Sequence, residues 1–382
     1  MRHFAANYIF DGESLIKNSL ITVDNSGRII YVGKENDALI ERPKMIFYNG
    51  ILSPGFVNAH CHLELSDYEK SDEKGKGLSN FVSKILSRRD LFNDQKKIRF
   101  YDQMMFDKGT NLVSDIVNTD KTINIKTKSS IKYRNFVEIS GTHALDAENK
   151  IAWSENLISQ YKSSGLNATA TLHSFYSVSL EILNHFLKNS IHDMLSIHFL
   201  ESEEELRFFQ GEHNALYKCI LKINRDFSAI VTNINDLYDL IDSFPNTSTI
   251  ILVHNVKVKT ASATDTNKYY CLCPASNLYL HNELPSSDFV YNNINRIVVG
   301  TDSIASNTEL NIFNEIKLLS NYYPELKLSE LLKMITKTGA EALKESEFGT
   351  FKIGTNPGII LINNVDLINL KITNNSFTTR IM

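Results

Sequence analysis

Apolar positions follow two rhythms along this chain. Near the N-terminus they come in short alternating runs broken by turns: ANYIF before DGES, LITVD before NSGR, then IIYVG and MIFYN. Period-two alternation marks half-buried strands. The C-terminal end repeats the rhythm in GTFKIG, GIILINN, LINLKI and SFTTRIM. Two strand-rich ends around a long middle predict a small β-sandwich assembled from both termini, over 1–52 and 347–382.

In the middle, compact apolar runs alternate with helical spacing. Eight candidate strands span 55–64, 110–118, 134–141, 167–175, 195–201, 249–255, 269–276 and 296–303. Between them LSNFVSKILSRRD, SLEILNHFLKNS, NALYKCILKIN and TELNIFNEIKLLSNYY place apolar residues three and four apart, as one face of a helix requires. Strand–helix alternation of this kind predicts an α/β fold, a (β/α)8 TIM-type barrel over 53–346. An open doubly wound sheet would be expected to carry a Gly-rich fingerprint after its first strand, and none is present.

Composition narrows the functional classes. The 382 residues are 42% hydrophobic, enough for a full core, and the net charge is only −4. The 40 basic residues are scattered, which speaks against a nucleic-acid partner and for a small, mildly charged molecule. MRHFAANYIFDGESL has no apolar stretch of signal-peptide length, and no run reaches the roughly 18 apolar residues of a membrane span. Cys61, Cys219, Cys271 and Cys273 are too few and too irregularly spaced for a disulfide framework. The expectation is a cytoplasmic protein with no membrane partner; homo-oligomerisation stays open.

Polar residues at the predicted strand ends carry the chemistry. His60-Cys61-His62 closes the first strand, and residues two apart on a strand share a face, so both imidazoles can bind one metal. His198 closes the fifth strand. Glu201, three residues on, is out of phase with it and must lie past the strand end, where it suits acid–base work; alternatively it opens the helix of ESEEEL, where acids are favoured. His254 closes TIILVH and is either hydrogen-bonded in the core or working at the mouth. Asp302 in VVGTDS can ligate a metal or act as a plain helix N-cap. The joint pattern decides between these readings: barrel strand ends converge on one mouth, where barrel active sites lie.

At these motifs the chain resembles the amidohydrolase superfamily, with PGFVNAHCH, HFLE, VHN and GTDS in the positions of its metal signatures. LHSFYSVS, CPASN and the pairing of His198 with Glu201 resemble the deaminase and chlorohydrolase branch. GTFKIGTNPGIILI resembles the return to the terminal β-domain, except that Asn356-Pro357-Gly358 stands where many relatives carry Lys-Ala-Asp. The resemblance implies a metal-dependent hydrolase. Its ion, Zn2+ with Fe2+ as the alternative, would be held by His60, His62, His198 and Asp302. Glu201, His254 and Asp302 would handle protons, and His173 would contact substrate. Two-metal relatives bridge their ions with a carboxylated Lys on the fourth strand. No Lys occurs between Lys162 and Lys188, so one ion is expected.

His62-Leu63-Glu64 also fits half of the cytidine-deaminase zinc signature, but the P-C-x-x-C half is absent. Cys271 and Cys273 read as packing groups. Glu64 either lines the pocket or caps the loop after the first strand. The implied reaction is hydrolytic deamination of an aminated heterocycle, with S-adenosylhomocysteine, methylthioadenosine, aminofutalosine and guanine as candidate substrates. Dechlorination, cyclic-amide hydrolysis and a metal-binding scaffold without activity are the alternatives.

Overall fold

The structure, a computed structural model, describes residues 1–34, 44–68, 74–88, 94–188, 193–223, 234–259 and 267–382. Its strands are β1 (Arg2–Phe10), β2 (Leu15–Val23), β3 (Ile29–Lys34) and β4 (Met45–Pro54), then β5 (Phe56–Cys61), β6 (Thr110–Val117), β7 (Lys132–Ile139), β8 (Asn167–Leu172), β9 (Met194–Phe199), β10 (Thr249–His254), β11 (Lys268–Leu272) and β12 (Ile297–Val299), and finally β13 (Ile359–Asn363) and β14 (Phe377–Arg380).

Both termini meet in one six-stranded sheet, ordered β14-β13-β4-β1-β2-β3. β13 runs antiparallel to β4, with Leu361 opposite Leu52. Phe4, Ile9, Ile21, Leu52, Phe351 and Ile359 pack together against it. The two ends therefore join as predicted, but they are hydrogen-bonded as a single sheet where a sandwich was expected. LINLKI is not a strand. Asp366 Oδ1 accepts the Ile368 and Asn369 N–H groups at 3.0 and 2.9 Å, a local turn that competes with ladder pairing. GTFKIG is likewise a turn region, tied in by the Phe351 N–H to Asp11 O bond.

The eight middle strands form two parallel four-stranded sheets, β5-β6-β7-β8 and β12-β11-β10-β9. Every residue of β5, β6, β9, β10, β11 and β12 is buried, as expected of strands covered on both faces. The two sheets touch at both seams. Between β8 and β9, Thr171 Oγ1 donates to Ser196 O at 2.8 Å and His198 N to His173 O at 2.9 Å. Between β12 and β5, Thr301 N and Asp302 N both donate to His60 O, at 3.0 and 3.1 Å. That approach requires Gly300, because a Cβ there would stand 2.7 Å from His60 Cβ. The result is an α/β fold of TIM-barrel type.

The four predicted helical segments contain helices Leu78–Arg88, Leu180–Lys188, Ala215–Ile223 and Ile312–Tyr322. Predicted positions 89–90, 189–190 and 224 lie outside the described residues. The seventh strand is shorter than predicted: it stops at Leu272, and Pro274 opens helix Pro274–Leu280, a position where its missing N–H costs nothing. Cys271 and Cys273 are buried in apolar packing, as expected. Among the described residues no helix is long and apolar enough to cross a membrane.

Candidate active site

The C-terminal ends of the parallel strands bend sharply as they deliver their side chains. Leu200, His254, Asn255 and Asp302 all have positive φ, at 46°, 76°, 59° and 57°. Non-glycine residues reach this region only at a cost, and such residues gather at functional sites. Here they sit past β9, at the end of β10 and past β12. The strand ends therefore curl over one mouth.

Four predicted residues meet there. The ligand atoms of His60, His62 and His198 lie within 4.8 Å of one another. His60 Nε2 and His62 Nε2 are 3.1 Å apart. Two nitrogens on a tetrahedral zinc, each about 2.0–2.1 Å from it, would stand about 3.3 Å apart. His198 Nδ1 contacts His173 O at 3.0 Å; donating there leaves Nε2 as its ligand atom. Asp302 Oδ1 lies 3.6 Å from His62 Nε2 and 3.9 Å from His60 Nε2. Its Oδ2 accepts hydrogen bonds from Ser276 Oγ at 2.6 Å and Ser306 Oγ at 2.7 Å. No helix starts at Asp302, so it is not an N-cap. Burial, followed by the neighbouring imidazoles His62, His198 and His254, pushes His60 well below the usual histidine range. It is therefore neutral, as a ligand must be. The donor set, three imidazoles and one held carboxylate, fits a divalent ion. A second grouping of Glu138, His173 and His198 also lies within 4.8 Å, but it shares His198 with the first.

Glu201 lies past the end of β9, as its phase predicted. The following helix, Glu203–Phe209, starts two residues later and is capped by Ser202, whose Oγ accepts from Glu205 N at 3.2 Å. Glu201 is buried instead, with Oε2 3.7 Å from His254 Nε2 and Oε1 3.4 Å from His281 Nε2. Burial alone would raise its pKa. The facing His254 and His281 outweigh that and bring it down to about 2. His254 is held from behind by the Asn277 amide, 3.1 Å from Nδ1. Burial pushes His254 below its usual range, although Glu201 and Asp302 oppose this.

His173 and Glu64 both line the cavity at the mouth, which holds about 440 Å³. His173 Nδ1 is 2.8 Å from Ser177 Oγ, and burial carries its pKa down to about 4. Glu64 Oε2 accepts from Asn118 N and Thr119 Oγ1 at 2.9 and 3.0 Å. It thus pins the loop after β6 while facing the cavity. Sequence reasoning missed His281, Asn277, Ser276, Ser306 and Glu138. Of these, Ser276 and Asn277 carried a signal as members of CPASN, and Ser306 as a member of GTDSIASN.

A parallel α/β fold with a histidine–carboxylate cluster at its strand ends defines a metal-site hydrolase class. The chain belongs to the amidohydrolase family, whose model matches residues 51–380. It is thus a hydrolase acting on carbon–nitrogen bonds other than peptide bonds. An adenosine deaminase of Helicobacter pylori is 26% identical over 337 residues, covering 83% of this chain and 80% of that protein. By fold, the chain is similar to the Helicobacter pylori aminofutalosine deaminase solved with methylthio-coformycin. That match has a TM-score of 0.80 and 22% identity, and it covers 100% of both chains. It is also similar to the Arthrobacter aurescens TC1 atrazine chlorohydrolase complexed with zinc, with a TM-score of 0.70 and 17% identity over 97% of this chain and 90% of the other.

Proposed function

We propose that the protein hydrolytically deaminates an adenosine-derived nucleoside, replacing the ring amino group with oxygen and releasing ammonia. The observation that carries this reading is the placement of Glu201 Oε2 3.7 Å from His254 Nε2, with both lining one cavity together with His62, His198 and Asp302. A proton-transfer group thus stands beside a metal-ligand cluster.

We assign His60, His62, His198 and Asp302 as ligands of a single divalent ion. Zn2+ suits three imidazoles and one carboxylate, with Fe2+ as the alternative. Such an ion supplies an electrophilic centre that lowers the pKa of water towards about 7. His254 and Asp302 would orient the attacking water towards the ring carbon bearing the amino group. Glu201, ionised in the free protein, takes the water's proton and delivers it to the adjacent ring nitrogen, making the carbon more electrophilic. Collapse of the tetrahedral intermediate expels ammonia, with Glu201 or Asp302 moving the last proton. His173 and Glu64 bind substrate from the cavity wall.

Dechlorination would use the same groups, and one fold relative is a chlorohydrolase. That likeness is one of fold at 17% identity, whereas the adenosine deaminase is alike in sequence over most of both chains. We divide the chain into a catalytic unit, 53–346, and a composite β-domain, 1–52 with 347–382. The four cysteines are unpaired, which supports a reducing compartment, the cytoplasm. Ammonia release from adenosine, methylthioadenosine, S-adenosylhomocysteine, aminofutalosine and guanine tests the reaction. Release from none of them, with the metal bound, would overturn it.

A further inference from the structure

Helix Leu78–Arg88 places Leu78, Phe81, Val82, Ile85 and Leu86 at helical spacing on one face. Such a stripe is ordinarily core. Here all five residues line the active-site cavity. Leu78 is buried, Phe81, Val82 and Ile85 are only partly so, and Leu86 is 42% exposed. Part of this apolar face is thus left facing the cavity. The helix is held in place from the catalytic side: Glu204 Oε2 accepts from Ser79 N at 2.8 Å, and Glu204 lies three residues beyond Glu201. Gly77 (φ +83°) allows that contact, because a Cβ there would stand 2.6 Å from Glu204 Oε1.

Acidic residues line the same cavity. Glu64 and Glu138 both line it, and Asn118 links them, its N–H donating to Glu64 at 2.9 Å and its Nδ2 to Glu138 at 3.3 Å. Among the described residues Lys150 is the one Lys or Arg lining the cavity, and neither Lys84 nor Arg88 of the helix does so. The cavity therefore combines two carboxyl side chains that suit hydroxyl donors with an apolar helix face from which no cation lines it. Resting on the deaminase reading, we propose that helix Leu78–Arg88 is a specificity wall. It selects nucleosides whose 5′ substituent is uncharged and apolar, and it discriminates against a tail ending in a carboxylate. A charged tail laid on this wall would lose hydration without gaining a partner.

Three probes test this: adenosine, 5′-methylthioadenosine and S-adenosylhomocysteine, which share a ring and differ in the tail. The expected kcat/KM for methylthioadenosine exceeds each of the others by about 10-fold or more, the usual worth of filling an apolar pocket. Phe81→Ala should lower the methylthioadenosine-to-adenosine ratio by about 10-fold. Leu86→Arg, at a more exposed position where folding is less at risk, should shift the ratio towards S-adenosylhomocysteine. Calorimetric binding of the three to Glu201→Gln protein reads the wall without turnover. Equal handling of charged and apolar tails, or ratios unmoved by both substitutions, would overturn the wall. If none of the three yields ammonia, the deamination reading falls, and the binding order alone then decides the wall, equal affinities overturning it.

Discussion

Glu201 and His254 face each other at 3.7 Å because two neighbouring strands turn through left-handed backbone just where they end, at Leu200 and at His254 itself. β9 and β10 pair in parallel with His198 opposite Val253 and Phe199 opposite His254. The register therefore puts Glu201 slightly beyond His254, on a loop that folds back over it. Glu201→Gln keeps this shape and removes the proton. Turnover should fall by about 10²–10⁴-fold with the ion retained, and substrate affinity should change much less. Steady-state kinetics on metal-replete protein checks this; near-wild-type turnover would remove Glu201 from proton transfer.

His60 is the most enclosed of the ligands, with Nε2 directed at His62 and Nδ1 buried without a partner. Elemental analysis should give one divalent ion per wild-type chain. His60→Ala should lose ion and activity together, since the three remaining ligands bind far less tightly. Two tightly held ions per chain would instead bring the Glu138–His173–His198 grouping into play.

Much of this was legible in the sequence. The strands read correctly because parallel strands buried on both faces leave continuous apolar runs, and His60, His198 and His254 were found by their places at the ends of those runs. What was not legible depends on contacts distant in sequence or on competing local bonds. The run ESEEEL reads as a uniform acidic helix start, yet its members separate. Glu201 faces His254, Glu203 pairs with Arg207 and Lys257, Glu204 caps helix Leu78–Arg88, and Glu205 accepts the Glu201 N–H. His281 meets Glu201 from 80 residues away, and no periodicity encodes that. LINLKI had strand composition but lost to the turn made by Asp366.

Glu205 is buried, accepts the Glu201 N–H at 2.7 Å through Oε2, and has no partner for Oε1. Burial, with the Glu201 carboxylate adding to it, raises its pKa from 4.5 to about 8 against the backbone bonds that lower it. Between those two values the folded state holds a proton that the unfolded chain has released. This contribution to stability is therefore full below about pH 4.5, declines as pH rises, and is lost above about 8. Glu205→Gln keeps an acceptor for Glu201 N and cannot ionise. Its denaturation midpoint should fall less than that of the wild type between about pH 5 and pH 9. Parallel pH profiles for the two proteins would show that Glu205 titrates normally.

Asp302 is the ligand whose orientation depends most on neighbours that do not touch the ion site. Its Oδ2 takes two short hydrogen bonds, from Ser276 on helix Pro274–Leu280 and from Ser306 in the loop after β12. Its Oδ1 is thereby left towards His62 and His60. Either serine alone can still fix the carboxylate plane, so each single Ala variant should bind the ion nearly as well as wild type. Removing both leaves Oδ2 buried without a donor and frees the carboxylate to rotate, a loss of the kind that costs about 10–100-fold in metal affinity. Ser276→Ala/Ser306→Ala should therefore be strongly non-additive in a competition with a chelator, because the two serines act on one group. Thermal unfolding of the metal-free proteins separates this from a general loss of structure: the double variant should melt within a few degrees of the sum of the singles while its ion affinity falls well below theirs. A double variant that keeps wild-type affinity would mean that Asp302 is oriented by its own backbone at φ 57° and by the bonds to His60 O, and that the serines are incidental.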